Sequence, residues 1–126
     1  MYKDLIEFKN VALSNDLLRH KLDKPNLYNL KVVFDDETKL VSVDNKDSEK
    51  MFNSTYVYDS SRSMTMLNHF EQASLSLQKR FNPHLTLEIG SNSGIFIKHF
   101  PSDASVAVEP CKNFAELTND MGINTY

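Results

Sequence analysis

Two carboxylates and one glycine turn carry the chemistry most legible in this chain. Glu88 falls near the end of the apolar run Leu85-Thr86-Leu87-Glu88-Ile89. The turn Gly90-Ser91-Asn92-Ser93-Gly94 follows, and Glu109 stands 19 residues beyond Gly90. Of the 3 glycines in the chain, two are in this turn. Glycine suits a loop that takes positive φ or lets a ligand approach the backbone closely. A helix opening after Gly94 would aim its free N–H groups and positive dipole end into the turn, which suits a nucleotide-like or anionic ligand. In a Rossmann-type unit, an acid about 20 residues past the glycine loop bonds ribose hydroxyls. The glycine turn alone is a weak signal, and the spaced acid at a second strand end strengthens it.

These residues need strands and helices to position them. Leu85–Ile89 reads as one strand, and Ala104-Ser105-Val106-Ala107-Val108 as the next, ending in Glu109. A short helix is expected from Ile95 to about Phe100, stopped by Pro101. A second is expected over Lys112–Asp120, with Phe114, Leu117 and Met121 inward and Gly122 as the residue after its cap. Ile123 to Tyr126 begins a third strand. Ahead of these, residues 64–80 read as a helix, with Leu67, Phe70, Ser74, Leu77 and Phe81 at three- and four-residue steps. Ser61 or Ser63 caps its start, and Asn82-Pro83 stops it.

The front of the chain is less regular. Leu13, Leu17 and Leu18 are spaced for one face of a helix before Pro25. Residues 27–43 read as a hairpin turning at Asp35-Asp36-Glu37-Thr38, and Asp44 to Lys50 reads as a polar connecting loop. In Phe52 to Ser63, Tyr56 and Tyr58 flank Val57, and hydroxyl residues then cluster. Composition favours an edge strand leading to a helix cap. Tyrosines, apolar with a polar tip, also suit the wall of a pocket.

Composition narrows the function classes. The 126 residues are 40% hydrophobic and 25% charged, with a net charge of −3. That suits a globular α/β protein and argues against non-specific nucleic-acid binding. A single cysteine, Cys111, excludes an internal disulfide framework and a cysteine-based zinc site. No apolar run is long enough to span a membrane, and Lys3, Asp4 and Glu7 interrupt any signal-peptide pattern, so a cytoplasmic protein is expected. His20, His69, His84 and His99 show no metal spacing. Cys111, near an expected helix start, has the placement that lowers a thiol pKa, but with no His near it in sequence it reads as a structural thiol.

The glycine turn does not match the dinucleotide pattern G-x-G-x-x-G. An acid two residues before the first glycine, as Glu88 is, resembles the first motif of class I S-adenosylmethionine (SAM)-dependent methyltransferases. Asn92 stands where that motif usually has a middle glycine, and Asn tolerates left-handed φ. More specifically, the chain resembles the N-terminal part of the sugar C-methyltransferases of deoxysugar biosynthesis. Phe52 to Ser63 is similar to that family's Tyr-x-Tyr-x-Ser segment, with His69-Phe70 in the helix that follows. Leu87 to Gly94 is similar to its SAM loop, Asn included. Val108-Glu109-Pro110, Asn113, Ala115-Glu116-Leu117 and Gly122-Ile123 are similar to its second strand and helix. The likeness covers about residues 50 to 126 and is loose over 1 to 49.

The resemblance implies a degenerate zinc-domain-like front segment, residues 1–50, followed over 51–126 by a linking helix and the first β-α-β-α-β portion of a Rossmann-like methyltransferase domain. It implies SAM as cofactor, a nucleotide-linked sugar or other small molecule as methyl acceptor, and neither nucleic acid nor membrane as partner. Gly90, Ser91, Asn92 and Gly94 would cradle the methionine end, with Glu88 toward its amino group and Glu109 on the ribose. Tyr56, Tyr58 and Ser61 would close over cofactor or sugar. The family's zinc-binding cysteines are missing, with Phe34 and Thr38 in the region where one pair is expected, so no metal is expected. The family's catalytic His and Tyr lie later in its domain and have no counterpart here, so no turnover by this chain alone is expected. The rivals are a non-catalytic half-domain or truncated relic that self-associates through its incomplete sheet, and half of a nicotinamide dehydrogenase, disfavoured by the missing third glycine.

Overall fold

Residues 1–44 and 48–126 are described in the computed structural model, a mixed α/β chain that divides into two units, Met1–Met51 and Phe52–Tyr126. The first unit is an antiparallel sheet of order β1-β2-β3, from strands β1 (Tyr2–Ala12), β2 (Leu27–Asp35) and β3 (Val41–Asp44). The expected hairpin is β2 and β3. Its turn is held by the Asp35 carboxylate, which accepts from the Glu37 N–H at 3.1 Å and the Thr38 hydroxyl at 2.8 Å. Those bonds, the Glu37 N–H first, hold Asp35 below the ordinary carboxylate range.

The helix expected around Leu13, Leu17 and Leu18 does not form, and the residues before it make the long strand β1. A short isolated helix is marginal in water. The stretch from Tyr2 instead finds backbone partners along β2 from Asp35 to Leu27. Lys31 and Asp4 pair across that ladder at 2.7 Å. The register shifts between Phe8 and Val11, where Asn10 takes φ 57° and its N–H donates to Asn29 Oδ1. Within this sheet only Val33 and Asp35 are buried. The expected connecting loop Asp44–Lys50 ends in a single helical turn, α1 (Ser48–Met51), and its residues 45–47 lie outside the described residues.

The second unit is a parallel sheet of order β4-β5-β6, with β4 (Thr86–Ile89), β5 (Ser105–Val108) and β6 (Asn124–Thr125). Helix α2 (Met64–Phe81) precedes it. Ser63 caps α2 by accepting from the Met66 N–H, and Asn82 ends it at φ 43°. Helix α3 (Lys112–Asp120) separates β5 from β6, and Gly122 follows its cap at φ 81°. The core is Ile97, Phe100, Ala107 and Ile123, with Phe96 packed against it and Phe70 of α2 tilted onto Phe96 at 5.5 Å. Gln78 of α2 donates to the His99 carbonyl at 3.1 Å.

The expected inward faces hold only in part: Ser74 and Phe114 are buried as expected, and their neighbours differ. Ser74 is the buried residue of α2, while Leu77 and Phe81 are exposed. In α3, Phe114 and Thr118 are buried, while Leu117 and Met121 are exposed. Along β4, Glu88 turns to the covered face, while Leu85, Leu87 and Ile89 face outward, Ile89 with 79% of its surface accessible. Strands of a parallel sheet ordinarily bury both faces; here one face is open.

Phe52 to Asp59 is irregular rather than an edge strand, and Ser60–Arg62 is one 3-10 turn. The helix expected from Ile95 to Phe100 is likewise only a 3-10 turn, Ile97–His99. So short a segment builds no macrodipole, and the expected anion site at a helix start has no helix behind it. Among the described residues, no helix is long and apolar enough to cross a membrane.

Candidate functional site

The turn after β4 takes its shape from three consecutive needs. Gly90 (φ 77°), Asn92 (φ 48°) and Gly94 (φ 72°) all adopt the left-handed region, which costs least for glycine and little for asparagine. The Gly90 N–H donates to the Val108 carbonyl at 2.7 Å, joining the end of β4 to that of β5. The two glycines differ in surroundings. Among the described residues, a side chain on Gly90 would meet nothing within 4 Å, so the backbone there is open to a ligand. At Gly94 it would meet the Thr118 side chain at 3.1 and 3.2 Å, so this glycine serves close packing against α3.

Glu109 sits just beyond β5 and is only 8% exposed. One carboxylate oxygen, Oε2, accepts from the Asn92 N–H at 2.6 Å; the other, Oε1, accepts from the Cys111 N–H at 2.8 Å. The acid is thereby the clasp between the glycine turn and the start of α3. Each oxygen retains a lone pair, enough to accept from a ligand hydroxyl. Glu88, half-buried at the end of β4, accepts from the Ile97 N–H at 3.1 Å. Burial raises its pKa to about 7, the Ile97 bond opposing and the Glu109 charge adding to the rise. Two acids thus stand at the carboxyl ends of adjacent parallel strands, the location where open α/β sheets bind ligands.

Asn92 contributes more than backbone. Its Oδ1 accepts from the Ser60 N–H at 3.0 Å and the Ser60 hydroxyl at 2.8 Å, and its Nδ2 donates to the Tyr58 carbonyl at 2.9 Å. Tyr56 reaches the same region through its carbonyl, which accepts from Asn113 Nδ2 at 3.4 Å. Tyr56, Tyr58 and Asn92 therefore come together, with the tyrosines joined through backbone carbonyls. The Tyr58 ring is exposed, and the Tyr56 ring stacks edge-on with Phe52. The Ser61 N–H donates to Asp59 Oδ1, capping the start of the 3-10 turn. Burial pushes the Asp59 carboxyl up, but hydrogen bonding from Ser61 and the nearby Arg62 hold it below its ordinary value. Ser91 is buried, and among the described residues its hydroxyl has no hydrogen-bond partner.

Three residues outside the expected site belong to this arrangement: Ser60, Asn113 and Thr118. Ser60 was visible as part of a hydroxyl cluster. Thr118, fully buried, bonds the Phe114 carbonyl at 3.1 Å and packs on Gly94, which helical spacing alone does not single out. The expectation for the Cys111 pKa is reversed. Burial, then the Glu109 carboxylate, raise the thiol to about 11, so it is protonated and structural. Among the described residues, no group of three or more His, Cys, Asp or Glu side chains converges as a metal would need. A scan against models of known protein families matches none of them to this chain, and a search among curated proteins finds no match.

Proposed function

We propose that this chain is the cofactor-binding portion of a class I SAM-dependent methyltransferase with a Rossmann-like sheet, whose acceptor is a carbon of a nucleotide-linked sugar. One observation carries the reading: Glu109, at the end of β5, is hydrogen-bonded to the glycine turn at the end of the adjacent parallel strand β4. The spaced acid and the turn are thus joined, as a single ligand site would need. The residues fit such a cofactor at Gly90, where the backbone is open, and at Glu88, whose carboxyl loses its proton readily near neutral pH to meet a cationic amino group. Glu109 has acceptor capacity left for hydroxyls. SAM, when bound, supplies an electrophilic methyl group. Gly90, Ser91 and Asn92 would line the cofactor, while Gly94 holds the turn against α3.

Methyl transfer to carbon also needs a base within hydrogen-bond reach of the acceptor's proton. No residue of this site is assigned that task, and the chain alone is expected to bind without turnover. Titration calorimetry with SAM, S-adenosylhomocysteine and NAD tests the reading. Heat with the adenosyl-sulfur ligands and none with NAD is expected; preference for NAD overturns the assignment.

A second reading is favoured by the open face of β4. Leu85, Leu87 and Ile89 are exposed together, and apolar patches of this kind mark interaction surfaces. A half-domain that self-associates through this sheet would be dimeric in sedimentation at micromolar concentration and would bind no cofactor.

A further inference from the structure

We propose that Tyr56–Ser60 is a strap closed over the Glu109 carboxylate, and that the Asn92 side chain is its latch. The strap is fastened on both sides of the acid. On one side, Asn92 holds Tyr58 and Ser60 by three hydrogen bonds of 2.8–3.0 Å, while its own N–H is bonded to Glu109 Oε2. On the other, Asn113 holds the Tyr56 carbonyl, two residues beyond Cys111, whose N–H is bonded to Glu109 Oε1. The carboxylate is held between the Asn92 and Cys111 N–H groups and is only 8% exposed.

The identity of residue 92 fits this role. A left-handed backbone is most easily met by glycine, and glycine would serve the turn. Asparagine tolerates the same φ and adds an amide that donates and accepts at once. It offers an oxygen to Ser60 and a nitrogen to Tyr58, as a strap running across it needs. The closed arrangement is also incompletely satisfied. Among the described residues, Asn113 Oδ1 and Ser91 Oγ are buried without a hydrogen-bond partner, as is Ser93 Oγ. A buried unpaired polar atom costs roughly 1–3 kcal/mol. A polar ligand entering beneath the strap gives the first two atoms partners and offsets the bonds lost at Asn92. The strap and its covalently continuous turn are therefore poised between two states.

The latch stands on geometry alone; that the strap opens as a gate for a ligand rests on the cofactor reading. Amide hydrogen exchange on the full chain separates them. Asn92→Gly keeps the left-handed backbone and removes all three side-chain bonds. It is expected to speed exchange at Ser60 about tenfold or more, with exchange at Ala107 in β5 unchanged. Unchanged exchange at Ser60 in the folded variant overturns the latch. Should Asn92→Gly fail to fold, Ser60→Ala, which deletes one bond from the strap side, is expected to speed exchange over Tyr58–Ser61 about fivefold; no change there overturns the latch equally. In the wild-type chain, saturating S-adenosylhomocysteine is expected to speed exchange at Ser60. Binding with Ser60 exchange unaltered overturns the gate while leaving the cofactor reading intact. No binding at all overturns the cofactor reading and the gate together, and the latch is then judged by exchange in the variants alone.

Discussion

The Asn92 N–H and the Glu109 carboxylate meet at 2.6 Å, a bond that joins the turn after β4 to the end of β5. With the Cys111 bond to its other oxygen, Glu109 satisfies two backbone donors in a buried setting. Glu109→Ala strands both donors and is expected to cost about 2–4 kcal/mol. Glu109→Gln keeps an acceptor for one of them and is expected to cost roughly half as much. Chemical denaturation of both variants checks this; equal, near-zero losses contradict it. Ligand binding by the Gln variant is accordingly the cleaner test of the acid's contact with a cofactor.

Glu88 predicts a pH dependence. Its pKa is about 7 in the folded chain against an ordinary 4.5. Between those values the folded state binds more protons than the unfolded state, so stability falls as pH rises from 4.5 to about 7 and is level beyond. Glu88→Gln removes the charge and can still accept from Ile97. It is expected to be more stable than wild type at pH 8, by about 1–2 kcal/mol after allowing for partial exposure, and nearly equal at pH 4.5. Thermal melts at the two pH values decide, and a wild-type advantage at pH 8 contradicts the account.

The two glycines of the turn should respond unequally. Gly90→Ala meets only the cost of a left-handed backbone, about 1 kcal/mol. Gly94→Ala meets that cost and also presses on the fully buried Thr118, for a total of about 2–4 kcal/mol. Gly94→Ala combined with Thr118→Ser, which removes the methyl group at 3.2 Å, should recover part of the loss. Urea midpoints of the three variants check the order.

Cys111 is expected to be inert in the folded chain, because its thiol is buried and its pKa lies near 11. At pH 8, a thiol reagent should label it only as fast as the second unit opens, and at once in denaturant. Rapid labelling of the native chain contradicts the placement.

Strong local signals made much of the second unit legible. Period, caps and breakers located α2 between Ser63 and Asn82, and the Gly122 stop located α3. The hairpin β2-β3 was equally readable, because its turn residues supply their own hydrogen bonds. β1 was not, since its pairing is set by β2, well along the chain, and a leucine spacing near Leu13 competed with it. The expected helix after Gly94 failed for a related reason. Ile97 and Phe100 are drawn into the core and Glu88 takes the Ile97 N–H, so the segment tightens into one 3-10 turn. Glu88, Asn92 and Glu109 were found as site candidates because acids and glycine-like positions at strand ends have a spacing. The bonds from Asn92 to Ser60 and Tyr58 had none, because they span more than thirty residues of chain.

The turn after β4 and the acid after β5 are proposed to bind one adenosyl-sulfur ligand. Amide NMR during titration with S-adenosylhomocysteine tests it most directly. The account predicts saturable shifts at Gly90, Ser91, Asn92, Glu109 and Cys111, with amides of Tyr2–Asp35 silent. Shifts confined to Tyr2–Asp35, no shifts at millimolar ligand, or the same shifts produced by NAD at lower concentration would contradict it.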